Sequence, residues 1–183
     1  PISRTYYEGE YVVGKNKPPT CWSADTATGR PFKDIPTDNV QSIACFDCKQ
    51  NIKGSGVGQT RACKYQQRIA VLLADEEGDI SSNEVYQLQL PATSLFGKDT
   101  QKMSMQTYAR FLNNQEKPVP LAALLTEIRF DSQSVTPKLF FKPTRVLEED
   151  EIKLAKEVQT NPDTENLVTL TITCLLYTSD AAD

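Results

Sequence analysis

The stretch from Cys21 to Cys63 constrains this chain most, because it has almost nothing with which to hold itself together. It shows little periodic apolar pattern and contains Pro31, Pro36 and glycines at positions 29, 54, 56 and 58. A loop-rich segment of that length cannot order itself by hydrophobic burial and needs a staple. Four cysteines supply a candidate, spaced C-x23-C-x2-C-x14-C at Cys21, Cys45, Cys48 and Cys63.

The C-x2-C pair is a tight turn that brings two thiolates to one tetrahedral ion, at about 2.3 Å from each sulfur. The other two cysteines return from either side. The spacing therefore predicts one structural Zn2+ per chain, held by all four thiolates and ordering residues 21–63. Such a set leaves no open coordination position, so the metal would not be catalytic. The competing reading is a redox pair at Cys45 and Cys48 with two ordinary buried cysteines. No thioredoxin-like strand and helix frame that pair.

A fifth cysteine, Cys174, opens "CLLYTSDAAD", residues 174–183. This decapeptide resembles the in-frame translation of a sequencing-library adapter. It is set aside as an artefact, so the natural chain is expected to continue differently beyond Thr173. The opening Pro1 suggests a fragment or a processed chain. No leader pattern and no apolar run near the roughly 18 residues of a membrane span are seen, so a reducing, cytoplasmic location without membrane association is expected.

The chain has 183 residues, suited to one domain, and no histidine. That absence removes serine–histidine and cysteine–histidine catalysis, imidazole-ligated zinc hydrolases and histidine-ligated deaminases. The acidic runs "DEE" at 75–77 and "EEDE" at 148–151 read as solvated faces rather than a two-metal site, so no enzymatic activity is expected. Glycines 54, 56 and 58 neither follow a strand nor open a helix, and read as a loop rather than a phosphate cradle. The net charge is −4, yet residues 1–68 carry ten basic against six acidic side chains, and residues 146–173 two against seven.

Beyond residue 68 the texture becomes periodic. "RIAVLLA", "EVYQLQL", "LAALLTEIRFD", "KLFFKPTRVL" and "NLVTLTIT" read as strands, after a short strand and turn within residues 1–20. "TQKMSMQTYARFLNNQ" and "EEDEIKLAKEVQ" read as helices, the second with its acidic first turn suited to the helix dipole. The expected class is mainly β with α, an α+β chain. Its architecture would be an oligonucleotide-binding-type antiparallel barrel over residues 1–147, with the cysteine insertion at 21–63 and an acidic helical tail at 148–173. An open antiparallel sheet with helices on one face is the rival.

Cations and aromatics gather around the cysteines: Trp22, Lys49, Lys53, Arg61, Lys64, Tyr65 and Arg68. A second basic set, Lys138, Lys142 and Arg145, flanks "LFF", where alternation puts Leu139 and Phe141 on one face and Phe140 on the other. Cations along phosphates with aromatic faces for bases are what single-stranded nucleic acid binding needs. Trp22 serves equally well as a cover for the metal site, while Phe46 and Tyr65 read as core.

The cysteine set, "RIAVLL", "LQLPATS" at 88–94, "LLTEIRFD" at 124–131 and "LFFKPTRVL" at 139–147 together resemble phage-encoded single-stranded-DNA-binding-like proteins. The resemblance implies an oligonucleotide-binding barrel, zinc on Cys21, Cys45, Cys48 and Cys63, and a DNA-binding face. It further implies work in phage DNA replication or recombination in the host cytoplasm, with an acidic C-terminal region recruiting partner proteins. The alternatives are a zinc-stabilised interaction or virion-structural protein without nucleic acid, and a carboxylate-dependent nuclease.

Overall fold

The computed structural model describes residues 1–9, 17–80 and 82–172. Its strands are β1 (Ile2–Tyr6), β2 (Cys21–Ser23), β3 (Lys64–Leu72), β4 (Val85–Pro91), β5 (Leu124–Phe130) and β6 (Leu139–Val146). Its α-helices are α1 (Ala92–Leu95), α2 (Met105–Asn113), α3 (Glu149–Gln159) and α4 (Pro162–Val168). The chain forms two compact units. The larger holds Pro1–Ser3 and Lys64–Thr169; the smaller holds Arg4–Cys63 and the described residues from Leu170.

In the larger unit, β3 and β4 pair antiparallel from Gln66 opposite Pro91 to Leu72 opposite Val85. The connection turns at Gly78, whose φ of 90° favours glycine, and Asp75 accepts the Asp79 N–H at 2.8 Å. Strand β3 is polar at its start and apolar from Ile69 to Leu72, and with α1 and α4 packed against it all but Lys64 are half-buried. Helix α2 places Met105, Tyr108 and Leu112 on one buried stripe. They join Leu90, Leu95, Met103, Leu139 and Phe141 in the core.

Tyr108, fully buried, ties the helix to both strands of the second sheet. Its ring stacks on Phe141 of β6 at 6.2 Å between centroids, and its hydroxyl pairs with the Thr126 hydroxyl of β5 at 2.8 Å. Strands β5 and β6 pair antiparallel, with a bulge between Leu125 and Thr126 where Pro143 stands opposite. A proline has no N–H for the ladder, and the bulge absorbs the missing bond.

The class is α+β with antiparallel sheets, but the described strands do not close into a barrel. Among the described residues β5 and β6 pair only with each other. The outer edge of β6 is already satisfied by other groups: the Leu139 N–H donates to the Ser94 hydroxyl and the Phe141 N–H to the Met103 carbonyl, both at 2.9 Å. The expected acidic tail is likewise not a tail. Arg145 holds Glu151 of α3 through two 2.7 Å bonds and donates to the Gly78 carbonyl at 2.6 Å. The Arg145 guanidinium, aided by the Glu148 and Ile80 backbone N–H groups, lowers the Glu151 carboxyl to about 2.

"NLVTLTIT" is not a strand in its described part. Asn161 caps α4 by accepting the Asp163 N–H at 2.9 Å, Pro162 starts the helix, and the helix runs to Val168. Thr173 and residues 174–183 lie outside the described residues, as do residues 10–16 of the expected N-terminal turn.

In the smaller unit, β1 and β2 pair antiparallel, with Arg4 opposite Ser23, Thr5 opposite Trp22 and Tyr6 opposite Cys21. Beyond them lie two short 3-10 turns, Thr37–Asn39 and Lys49–Asn51. Within residues 21–63 the buried hydrophobic side chains are Ile35 and Cys48 alone. The segment has no core of its own, as its composition dictates.

Candidate metal centre and nucleic-acid interface

Cys21, Cys45, Cys48 and Cys63 line one cavity of about 20 Å3, together with Arg4, Tyr6, Trp22, Gln41 and Gln50. That space takes one small ion or one water. Strand β2 presents Cys21, the Cys45–Cys48 turn presents the next two, and the start of β3 follows directly on Cys63. Local hydrogen bonds fix the backbone: the Cys45 N–H donates to the Gly29 carbonyl at 2.7 Å and the Cys63 N–H to the Gln50 carbonyl at 2.8 Å. The Asn51 side-chain amide donates to the Cys45 carbonyl at 2.9 Å.

The thiols sense one another. Burial, then the Cys45 thiol, pushes Cys63 up to about 12, against the favourable charge of Arg4. Burial also raises Cys21, which the Gln41 backbone N–H opposes. Burial thus favours the protonated thiol at both positions. Among the described residues no group of three or more Cys, Asp or Glu side chains stands at ligating geometry, so the four share a cavity without forming a coordination sphere. The donor chemistry nonetheless suits Zn2+, since the cavity offers four sulfurs and no carboxylate.

Around this cavity Lys49, Lys53 and Lys64 are exposed, whereas Arg61 donates to the Asn51 carbonyl at 2.7 Å. Trp22 is half-buried, lines the cavity and stacks on Phe32 at 6.2 Å. Its role as a cover for the cysteines has a contact behind it; a free face for a base does not. Phe46 is 75% exposed rather than core, because the turn between Cys45 and Cys48 points it away from the cavity. Tyr65 is half-buried and meets Phe96 edge to face at 5.6 Å.

The glycine loop spends its donors internally. Gly54 and Gly56 both donate to the Thr60 carbonyl, at 2.9 and 3.0 Å. A β-carbon on Gly56 would come within 2.8 Å of the Arg61 backbone, so close approach rather than phosphate binding requires glycine there.

In the larger unit, one face of the β5–β6 ribbon carries Arg129 opposite Phe140 and Glu127 opposite Lys142. Leu139 and Phe141 turn to the core, leaving Phe140 half-buried on the other side. Lys102 lies over the Phe140 ring at 5.7 Å and pairs with Asp131 at 2.9 Å; Lys138 shares that carboxylate at 3.5 Å. Lys142 is exposed, and Arg129 pairs with Glu127. Arg68 is engaged elsewhere, donating to the Thr169 carbonyl at the end of α4 at 2.8 Å.

Sequence reasoning missed Arg4, Lys102 and Arg129. Arg129 was within reach of the alternation that singled out Phe140, once β5 and β6 are paired. Arg4 gave no signal, since one cation in "ISRTY" reads as a solvated strand residue.

An apolar cavity of about 560 Å3 lies in the same unit, bordered by Ile69, Val71, Tyr108, Leu124 and Val158. None of its lining residues is charged, so it offers a phosphate no anchor. No helix among the described residues is long and apolar enough to cross a membrane.

Comparison with known proteins adds no kinship: no protein-family model matches the chain, and neither does any curated protein or solved structure.

Proposed function

We propose that this chain is a non-enzymatic, sequence-tolerant single-stranded DNA-binding protein, acting in phage DNA replication or recombination. Its smaller unit is stapled by one structural Zn2+ on Cys21, Cys45, Cys48 and Cys63. The observation that carries this reading is the β5–β6 face, where Phe140 sits among Lys102, Arg129, Lys138 and Lys142. An aromatic ring amid cations suits bases and phosphates together. Lys49 and Lys53 on the cysteine unit and Lys64 at the start of β3 are further exposed cations. An open antiparallel platform serves this purpose without barrel closure. The acidic first turn of α3 offers Glu149 and Asp150 to replication or recombination proteins.

Fluorescence anisotropy with a labelled oligo-dT at two salt concentrations tests the proposal. Affinity should fall steeply as salt rises. No binding at low salt, or binding indifferent to salt, refutes it.

A second reading is favoured by the smaller unit's surface, where Ile43, Phe46, Ile52 and Val57 are all exposed. Exposed apolar side chains in one segment mark an interaction surface. On this reading the protein is a zinc-stabilised interaction or virion component that ignores oligo-dT and engages another protein instead.

A further inference from the structure

We propose that Arg4 is the charge-balancing residue of the cysteine centre, its buried guanidinium offsetting the surplus negative charge of a tetrathiolate metal site. The inference rests on the zinc reading above and assigns a function to a residue outside the ligand set.

Four thiolates around one divalent ion leave two negative charges in excess. Such a charge is costly inside a protein unless a cation or several hydrogen bonds face it. Among the described residues Arg4 is the only charged side chain lining the cysteine cavity, and it is 8% exposed. Its placement follows from strand pairing. Arg4 and Tyr6 alternate onto one face of β1, opposite Ser23 and Cys21 of β2, and all four residues line the cavity. The guanidinium is thus delivered by the same ladder that delivers the first cysteine. Opposite four thiolates its charge would offset theirs.

The experiment compares the full chain with Arg4→Met, Arg4→Gln and Arg4→Lys. Zn2+ affinity is read by chelator competition, and ion release by a chromogenic chelator during N-ethylmaleimide alkylation at fixed pH. Circular dichroism of the zinc-loaded proteins reports folding. Outer-shell partners of a metal site typically change affinity by about 10- to 100-fold. The two neutral variants should lose affinity by about that factor and be alkylated faster, with Arg4→Lys close to the parent.

Equal affinity and release in all four proteins overturns the role of Arg4 and leaves the zinc site standing. A parent chain that binds no Zn2+ overturns the zinc reading, and this inference with it. Misfolding of the neutral variants alone supports the role of charge, whereas misfolding of all three variants assigns Arg4 to packing and overturns the proposal.

Discussion

Phe140 and Phe141 are adjacent on β6 and face opposite ways, which allows one chemical change to be made on each side of the same strand. Phe141 is 1% exposed and stacks on Tyr108, so Phe141→Ala removes a full aromatic ring from the core. Truncations of this kind cost about 3–5 kcal/mol, a large share of a domain's typical stability of about 5–15 kcal/mol. Phe140 is half-buried, and its identified partner is the Lys102 ammonium, a contact worth about 0.5–1 kcal/mol at an exposed site. Phe140→Ala should therefore leave the urea midpoint within roughly 1 kcal/mol of the parent. If a base stacks on that ring, the same substitution should weaken oligo-dT binding by about 1–3 kcal/mol. That corresponds to about 5- to 150-fold in affinity, since each 1.4 kcal/mol is tenfold. Urea unfolding and anisotropy on the two variants give four numbers from one pair of proteins. Equal destabilisation by both substitutions would show that β6 does not separate a core face from an open one. A stable Phe140→Ala protein with unchanged affinity would remove the ring from the interface and with it the observation on which the functional proposal rests.

Metal analysis of the purified chain should find one Zn2+, and Cys48→Ser should abolish it. Limited proteolysis of that variant should cut within residues 21–63 first while residues 64–169 keep a cooperative transition; early cleavage in α2 or α3 instead would contradict the separation of the units. The Glu151 carboxyl, held near 2 by Arg145, binds its proton more weakly in the folded chain than in the unfolded one. Its stabilising contribution is accordingly complete above the ordinary carboxylate value of about 4.5 and is lost as pH falls from there toward 2. Glu151→Gln should flatten that part of the urea-midpoint profile, and an unchanged acid limb would refute the assignment.

Much of the fold was readable because its elements bury one side. The helical spacing of Met103, Thr107, Tyr108, Phe111 and Leu112 announced α2, whose buried stripe proves to be Met105, Tyr108 and Leu112; the alternation in "EVYQLQL" announced β4, and the acidic start of "EEDEIKLAKEVQ" announced α3. What failed depended on neighbours distant in sequence. Val168, Leu170 and Ile172 alternate as a strand would, but the Asn161–Pro162 start and the packing of α4 on β3 prevail up to Val168. Barrel closure is a matter of pairing partners, which no local pattern encodes: the outward N–H groups of Leu139 and Phe141 go to Ser94 and Met103 instead of to a further strand. At the candidate centre the four cysteines were visible as a set from their spacing, and they do line one cavity. Arg4 was not, because its neighbourhood arises from the pairing of β1 with β2. Phe46 was misjudged as core since apolarity alone does not say which way a two-residue turn points.

The poverty of apolar packing in residues 21–63 has a consequence for how this part of the chain can change over generations. Ile35 and Cys48 are its buried hydrophobic residues, so most substitutions there have no packing to disrupt. The side chains between the cysteines can drift, lengthen or exchange charge while the scaffold tolerates it. Gly56 is a point of rigidity, barred from a side chain by the Arg61 backbone. A surface built this way can acquire a new partner without first acquiring a new fold.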